Sequence, residues 1–392
     1  MSDVFIVSAV RTAIGAFGGS LKNHAPTELG ALVTREAIAR SGLNAEQVGH
    51  VVFGQVIPTE PKDAYLARVA AVNGGVPHAT PAMTVNRLCG SGLQAIVSAA
   101  QAIRLGDCQV AIGGGAEVMS RAPFLSTGMR WGRKMGDEVL IDALNGALTD
   151  PFGDILMGVT AENVAERYGI SREDQDQLAA TSQARAAHAI AEGRFTSQIL
   201  PVQIKVRGKP AEFAVDEHGR KTTVEDLAKL RPIFRAENGT VTAGNASGIN
   251  DGAAAVVLAD EATVKAQRLK PMARLVAYAH QGVDPAYMGI GPVPATCTVL
   301  ERAGLSVADL DVIEANQAFA AQACAVSREL GFDPAKVNPN GSGISLGHPV
   351  GATGAIITTK LLHELQRVGG RYGLATMCIG GGQGIAAIFE RV

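Results

Sequence analysis

Hydrophobic and polar residues follow one another along this chain in the rhythm of an α/β protein. Short apolar runs predict strands, and the amphipathic stretches between them predict helices. Before residue 118 the pattern predicts strands at 4–10, 50–56, 82–88 and 109–112, and helices at 27–41, 63–72 and from Gly90 to Gly106. After residue 250 it predicts strands at 253–258, 273–279, 311–315 and 371–378, with helices that end at Gly304 and Leu330. The expected fold class is therefore α/β, with helices covering a sheet.

Residues 118–250 differ from the rest of the chain in having more charge and fewer apolar runs. Ser171 with Asp174, and Thr223 with Asp226, have the spacing of capping boxes, and a polar helix is expected near 172–192. We interpret residues 118–250 as a loop domain inserted into the α/β pattern. A first half would then comprise residues 1–117 and 251–270, and a second half residues 271–392.

Two short motifs occur twice in the sequence. G-S-G-L at 90–93, a helix, and a strand ending in I-G-G-G at 112–115 are matched by G-S-G-I at 341–344, a helix, and I-G-G-G at 379–382. Two matches in the same order beside the same elements indicate an internal duplication. We expect two similar halves packed face to face, with the functional site in the cleft between them.

The composition narrows the possible classes of protein. A length of 392 residues predicts two or three packed subdomains. Although 47% of the residues are hydrophobic, no run reaches the roughly 18 apolar residues of a membrane helix. The start has an acid at Asp3 and no basic leader, so the expected location is the cytoplasm. A net charge of −2 with scattered Lys and Arg argues against nucleic acid as a partner.

Five cysteines without C-x-x-C spacing argue against a disulfide framework and against a zinc site. Cys89 lies between a predicted strand and an apolar helix, so the helix start is expected to favour its thiolate. The small residues after it, Gly90 to Gly92, leave room for a substrate carbonyl, as a nucleophile at a strand-turn-helix junction requires. The alternative for Cys89 is a small buried cysteine of the core.

Two further residues could take part in the same chemistry. His348 is the single histidine of the glycine-rich stretch 338–355 and could take a proton from a nearby thiol, with a pKa near working pH. The alternative is a phosphate-binding loop, although no G-K-[ST] follows. Cys378, at a strand tip expected to face a cleft, could transfer a proton beside a thioester, with Gly380 to Gly382 holding an oxyanion. The alternative for Cys378 is a redox partner of Cys89.

Four blocks resemble the signature sequences of the thiolase family. They are N-R-L-C-G-S-G at 86–92, E-A-N-Q-A-F-A-A-Q at 314–322, N-P-N-G-S-G-I-S-L-G-H-P-V-G-A-T-G at 338–354 and M-C-I-G-G-G-Q-G at 377–384. The resemblance covers essentially the whole chain and is strongest to the bacterial biosynthetic branch, the acetyl-CoA acetyltransferases and β-ketothiolases. It implies a five-layered αβαβα core, coenzyme A as a substrate, no permanently bound cofactor or metal, and a homodimer or homotetramer.

The resemblance also implies a role for each matching residue. Cys89 corresponds to the nucleophile that accepts the acyl group, and His348 to the base that activates it. Cys378 corresponds to the acid/base at the α-carbon of acetyl-CoA. Asn316 corresponds to the residue that holds the water of a first oxyanion hole, which His348 helps to form. The N–H groups of Cys89 and Gly380 correspond to a second oxyanion hole, used in the acyl-enzyme step.

Other matches concern coenzyme A itself. Arg220, in D-E-H-G-R, resembles the arginine near the nucleotide phosphates, and Ser247, in T-A-G-N-A-S-G, resembles the serine beside the pantetheine. The resemblance implies that Met157, Met288 and Phe319 form the apolar lining of the channel. For the two methionines the alternative is packing in the core. Two departures are informative: Gln317 stands where the family commonly has Glu, and Leu156 stands where acetoacetyl-CoA thiolases commonly have His.

Three competing interpretations predict different sequences. A decarboxylating or hydroxymethylglutaryl-type condensing enzyme lacks a second cysteine in the C-terminal I-G-G-G block, whereas Cys378 is present here. A non-catalytic, thiolase-like carrier of lipid or CoA is expected to have lost one or more of Cys89, Asn316, His348 and Cys378. An NAD-dependent oxidoreductase would need a G-x-G-x-x-G motif after the first strand, and none is found there.

Overall fold

A computed structural model describes residues 3–392. The strands are β1 Val4–Thr12, β2 Gly15–Ala16, β3 His50–Gly54, β4 Ala82–Val85, β5 Val110–Val118, β6 Phe124–Leu125, β7 Ile141–Asp142, β8 Thr149–Asp150, β9 Ile155–Leu156, β10 Ile199–Leu200, β11 Val202–Val206, β12 Lys209–Phe213, β13 Asn250–Asp260, β14 Ala273–Gly282, β15 Val312–Ala315, β16 Tyr372–Ile379 and β17 Gln383–Arg391. The helices are α1 Pro26–Ser41, α2 Leu66–Asn73, α3 Ser91–Leu105, α4 Ala143–Ala147, α5 Met157–Tyr168, α6 Arg172–Ala191, α7 Val224–Ala228, α8 Glu261–Ala266, α9 Pro292–Ala303, α10 Ala320–Leu330, α11 Gly343–Leu346 and α12 Thr353–Val368.

Two parts of the main sheet have the same strand order. In the first part β3, β5, β13 and β1 are neighbours, with β4 added beside β3. In the second part β15, β16, β17 and β14 are neighbours. Leaving β4 aside, each set of four strands has one parallel pair followed by two antiparallel pairs. A short antiparallel contact between β1 and β14, pairing Phe5 with Arg274 and Ile6 with Ala273, joins them.

Helices α3 and α12 lie in the middle of the molecule and pack against each other. On one side α3 covers β3 and β5, and on the other α12 covers β15 and β16. Helices α1 and α9 cover the outer faces, which completes the five αβαβα layers. The central helices approach closely because both begin with small residues: a Cβ at Gly354 would collide with the backbone of Leu93, and one at Gly92 would lie 2.6 Å from the nitrogen of Ala355.

The duplication is present, but the register inferred from the repeated motifs is wrong. In the structure α3 begins at 91 and β5 at 110, while α12 begins at 353 and β16 at 372, so the spacing is the same in both halves. The first I-G-G-G lies inside β5, whereas the second begins at the last residue of β16 and continues into a turn. The G-S-G-I stretch leads into the short helix α11 instead of starting the central helix.

Other elements differ from the sequence pattern mainly at their ends. Strand β4 stops at Val85 and not at 88, because the chain turns there toward Cys89. Strand β5 continues to Val118 because its glycines are accommodated between β3 and β13. The predicted helix 63–72 is a 3₁₀ turn at Pro61–Tyr65 followed by α2.

Strands β5 and β13 are neighbours in the sheet, and the chain between them forms helices α4 to α7 and several short strands. We propose that this segment is the loop domain, residues 118–250, between the first half at 1–117 with 251–270 and the second half at 271–392. In the segment, Ser171 caps α6 through a reciprocal box with Asp174, and Thr223 caps α7. Over residues 3–392, no helix is long and apolar enough to cross a membrane.

Candidate active site

Cys89 lies in a tight turn between β4 and α3. The residue before it, Leu88, has a φ of 43°, which is uncommon for a residue with a branched side chain. The hydroxyl of Ser91 stabilises the turn, because it accepts from the N–H of Arg87 at 2.9 Å and donates to the carbonyl of Leu88 at 2.6 Å. The turn therefore holds the cysteine in one orientation ahead of the helix.

The environment of Cys89 does not stabilise its thiolate form in the resting enzyme, contrary to the expectation from its position at a helix start. Loss of water around the sulfur raises the pKa of Cys89 to about 11. The N–H groups of Gly380 and of Cys89 itself lower this pKa, but the nearby carboxyl of Glu117 raises it. Because burial is the larger effect, the thiol is protonated at neutral pH and must lose its proton during the reaction.

His348 is buried, and the hydrogen bond of its Nδ1 determines its tautomer. Nδ1 lies 2.6 Å from the hydroxyl of Thr353, and that hydroxyl donates its own hydrogen to the carbonyl of Pro349 at 2.9 Å. The hydroxyl can therefore only accept from His348, so the proton is on Nδ1 and Nε2 carries the lone pair. The backbone N–H of His348 donates to Oδ1 of Asn250 at 3.0 Å, which fixes the loop.

Burial lowers the pKa of His348 to about 4, instead of leaving it near working pH as the sequence suggested. The imidazole is therefore neutral at pH 7 and can accept a proton. The Nδ2 group of Asn316 lies 3.4 Å from Nε2 of His348. Oδ1 of Asn316 is buried and has no hydrogen-bond partner within residues 3–392, so it is available to a water or a substrate.

Cys378 is the penultimate residue of β16 and has no solvent exposure. It packs in an apolar cluster with Met157, Met288 and Ala318, so it lies behind the wall of a cavity instead of facing an open cleft. Burial and the neighbouring Cys89 raise the pKa of Cys378 strongly. Its thiolate, once formed, would be a strong base.

A narrow cavity of about 60 Å³ lies between Cys89 and His348. Its lining comes from both halves and from the inserted segment: Val56, Leu88, Cys89, Ala147, Leu148, Met157, Ser247, Met288, Ala318, Phe319, His348, Val350 and Gly380. Gly380 is closely surrounded in this wall, because a Cβ at this position would be 3.2 Å from Leu88 and 3.4 Å from the sulfur of Met157.

Four residues singled out from the sequence lie outside this lining: Asn316 and Cys378, described above, and Leu156 and Arg220. Leu156 is the N-cap residue of α5, pairs with Thr149 in the β8–β9 hairpin and is 38% exposed. The residue before Thr149, Leu148, reaches the cavity instead. Arg220 is exposed, and its backbone N–H donates to Oε1 of Gln183 at 2.8 Å. Within residues 3–392, no group of three or more His, Cys, Asp and Glu side chains could hold a metal ion.

Several residues of the site were not singled out from the sequence. Thr353 and Asn250 orient His348, and Glu117 links the two halves by accepting from the N–H groups of Val56, Ile57 and Gly351. The sequence did contain a signal for Glu117, because it is an acidic residue in the otherwise apolar stretch before residue 118. Asn250 could not have been found in the same way, because it contacts His348 only through the fold.

The comparisons with known proteins agree with the geometry. The thiolase N-terminal domain profile matches residues 4–262, and the thiolase C-terminal domain profile matches residues 269–391. The chain therefore belongs to the thiolase family.

Relatives and solved structures match over the whole chain. This chain is 68% identical to beta-ketothiolase BktB of Cupriavidus necator, with 100% of this chain and 99% of that protein covered. The crystal structure of an acetyl-CoA acetyltransferase from Bacillus anthracis superposes with a TM-score of 0.97 and 47% identity, covering 100% and 99% of the two chains. Human mitochondrial 3-ketoacyl-CoA thiolase in complex with CoA gives a TM-score of 0.96 and 45% identity, covering 100% and 98%.

Proposed function

We propose that this protein catalyses the reversible Claisen condensation of an acyl-CoA with acetyl-CoA, and the thiolytic cleavage of 3-ketoacyl-CoA, through an acyl-enzyme on Cys89. The observation that carries the proposal is a cavity lined by a nucleophile and a neutral base, with a second thiol packed directly behind its wall. The names of the relatives agree with this reaction. The activity is that of an acyltransferase, with coenzyme A as substrate and product.

The first half-reaction transfers the acyl group to Cys89. The sulfur attacks the thioester carbonyl, and its proton moves to Nε2 of His348, the nitrogen with the free lone pair. The N–H groups of Cys89 and Gly380 hold the oxyanion, consistent with their effect on the Cys89 sulfur. When the carbon–sulfur bond to CoA breaks, the CoA thiolate takes the proton of Cys378 and leaves as the thiol.

The second half-reaction uses the thiolate left on Cys378. Because burial makes this thiolate a strong base, it can remove a proton from the α-carbon of acetyl-CoA. The enolate oxygen is held by the protonated His348 and by a water on Asn316. The enolate carbon attacks the acyl group, the bond to Cys89 breaks, and His348 returns its proton to that sulfur, which restores the starting state.

Arg220 and Ser247 are proposed contacts of coenzyme A, at its phosphates and its pantetheine arm. The guanidinium of Arg220 is exposed and has no ion-pair partner within residues 3–392, so it is available to a phosphate. Met157, Met288 and Phe319 line the narrow cavity, which suits the apolar part of the arm. We expect Arg220→Ala to weaken acetyl-CoA binding and leave acetyl-pantetheine unaffected. Equal losses for both substrates would contradict the phosphate contact.

We also propose a broad preference for short to medium acyl chains, because Leu156, next to Met157 and just outside the lining of the narrow cavity, stands where acetoacetyl-CoA thiolases commonly have a polar imidazole. An added methylene that meets apolar wall gains about 0.8 kcal/mol. The kcat/KM values for 3-ketovaleryl-CoA and 3-ketohexanoyl-CoA should lie within about tenfold of that for acetoacetyl-CoA. Leu156→His should narrow this range toward the shortest substrate, whereas Leu105→His on the surface should not. An unchanged profile in Leu156→His would remove Leu156 from the determinants of chain length.

A homodimer or homotetramer in the cytoplasm is the proposed form of the protein. The segment 124–141 carries exposed apolar side chains, with Trp131 and Met135 each 90% exposed, which favours burial against another copy. Light scattering should show a tetramer that Trp131→Glu converts to dimers. A monomeric wild-type protein would contradict this proposal.

The decisive experiment for the reaction is an absorbance assay of the 3-ketoacyl-CoA enolate. Addition of CoA and enzyme should consume the enolate and release acetyl-CoA. A non-catalytic carrier of CoA or lipid would bind the substrate without turnover. Binding without consumption would therefore overturn the proposed function.

A further inference from the structure

Asn316 and Gln317 are adjacent, but their side chains contact different parts of the molecule. Asn316 lies beside His348, whereas Oε1 of Gln317 accepts from the hydroxyl of Ser182 on α6 at 2.6 Å. All of these side chains are buried. The backbone between the two residues is therefore held from the side opposite the cavity.

The contact of Gln317 with Ser182 belongs to a directed chain of hydrogen bonds. A serine hydroxyl has a single hydrogen, and that of Ser182 is used on Gln317. The hydrogen of Ser345 has two acceptors within reach, the hydroxyl of Ser182 at 2.9 Å and the carbonyl of Ser342 at 3.2 Å, and the shorter contact is the one to Ser182. Ser345 also accepts from the N–H of Ser342 at 3.2 Å. The chain starts in the loop that carries His348 and ends beside Asn316.

The next residue of α6 makes two further links. Nε2 of Gln183 donates to the carbonyl of Ile344 at 3.3 Å, and its Oε1 accepts from the N–H of Arg220. Two adjacent residues of one long helix thus hold the loop of His348, the residue after Asn316 and the segment of Arg220. A helix is a rigid support for such contacts, because its backbone is already hydrogen-bonded.

We propose that Gln317 and Ser182 are positioning residues that hold Asn316 at the correct place beside His348. The inference rests on the proposed function and adds a specific effect on one half-reaction. In that mechanism Asn316 serves only the enolate, whereas acyl transfer uses the N–H groups of Cys89 and Gly380. Loosening the support should therefore slow α-proton exchange and leave acylation intact. Gln317 needs only an acceptor oxygen for this role, which glutamate would also provide.

The test measures the two half-reactions separately in the full-length enzyme. Ser182→Ala and Gln317→Leu should slow deuterium exchange into acetyl-CoA by about tenfold to 100-fold, the range expected for a small misplacement. Acetylation of Cys89 and KM for acetyl-CoA should stay within about twofold of wild type. Gln317→Glu should retain exchange within about threefold, because a carboxylate oxygen can accept from Ser182. Thr181→Val is the matched control, since its hydroxyl bonds only within its own helix.

Ser345→Ala interrupts the same chain from the loop and provides a second variant if Ser182→Ala folds poorly. Equal losses in both half-reactions at unchanged melting temperature would overturn the proposal, as would normal exchange in Gln317→Leu. A Gln317→Glu enzyme as slow as Gln317→Leu would also overturn it. Failure of the proposed function would look different, because the wild-type enzyme itself would then form no acetyl-Cys89.

Discussion

The two halves of the molecule share a scaffold but differ in the segment that leads into the central helix. In the first half the four-residue strand β4 follows β3 and leaves only residues 86–90 before α3, and Cys89 lies in this short turn. In the second half residues 316–352 separate β15, the counterpart of β3, from α12, with an isolated bridge at Val337 in place of β4, and they include Asn316 and His348. The short segment provides one strained, fixed nucleophile. The long segment provides several polar groups that hydrogen bonds must hold in place.

The comparison explains how two distant residues become neighbours. Cys89 and His348 precede equivalent helices, α3 and α12, and those helices pack directly against each other. The approximate symmetry of the scaffold therefore brings the two chain segments together. The chemistry depends on the difference between the segments, since the first carries the thiol of Cys89 and the second carries the imidazole of His348.

The largest expected effect comes from removing the nucleophile of the short segment. Cys89→Ala should lower acyl transfer by at least about 10,000-fold, because the covalent step is lost. After incubation with acetyl-CoA and digestion, mass spectrometry should find the acetyl group on the Cys89 peptide of wild-type enzyme. Label on Cys378, or on neither cysteine, would show that the assignment is wrong.

Cys378→Ala should separate the two half-reactions. The variant keeps Cys89 and His348, so it should still form an acyl-enzyme when incubated with acetyl-CoA, with CoA leaving as its thiolate instead of taking the proton of Cys378. The exchange of deuterium into acetyl-CoA should fall by about 100-fold to 10,000-fold, the usual loss for a general base. Cys297→Ala, at an exposed cysteine, is the control and should exchange normally. Exchange at the native rate in Cys378→Ala would exclude it as the base.

A buried ion pair marks a second difference between the halves. Lys360 and Glu314 lie 2.7 Å apart with almost no exposure, and Lys360 also donates to the carbonyl of Gly341. The equivalent positions of the first half hold Val52 and Ser98, as the strand register and the common helix spacing indicate. Lys360→Met should lower the free energy of unfolding by about 3–5 kcal/mol, because Glu314 is left buried without a partner.

The double variant Glu314→Val with Lys360→Met makes the second half resemble the first and should recover most of the stability. It should not recover full activity, because the loop before His348 loses its bond at Gly341. Chemical denaturation and the enolate assay measure the two effects. Full activity in the double variant would mean that the ion pair does not support the catalytic loop.

The smallest expected effect is on the pH dependence of acylation. Because burial lowers the pKa of His348 to about 4, kcat/KM for Cys89 acylation should change less than about twofold between pH 5.5 and 7.5. An unperturbed histidine would cause a loss of about tenfold over that range. The lowered pKa of His348 also makes the free energy of unfolding depend on pH. The stability that comes from burying the neutral imidazole is fully present above the unfolded pKa of 6.5 and is lost as the pH falls toward 4. An acidic limb near pH 6.5 would contradict the buried, neutral imidazole.

Much of the fold could be predicted from the sequence, because apolar runs and glycine stops carry local information. The α/β class and the membership of the thiolase family are confirmed. The register of the duplication was not accessible, since G-S-G and I-G-G-G occur in both halves at positions that are not equivalent. The roles of the site residues remain predictions. Their protonation states could not be inferred, because the pKa values of Cys89 and His348 depend on burial, which only the folded chain determines.

The contact between Gly92 and Gly354 has a consequence for how this protein can change over evolutionary time. Two duplicated halves could in principle diverge independently, so that a mutation in one half would not affect which mutations the other half tolerates. Here a single added methyl group at either glycine would strike the backbone of the other half. A substitution in one half would therefore need a compensating change in the other, so the mutational histories of the two halves are coupled at this point.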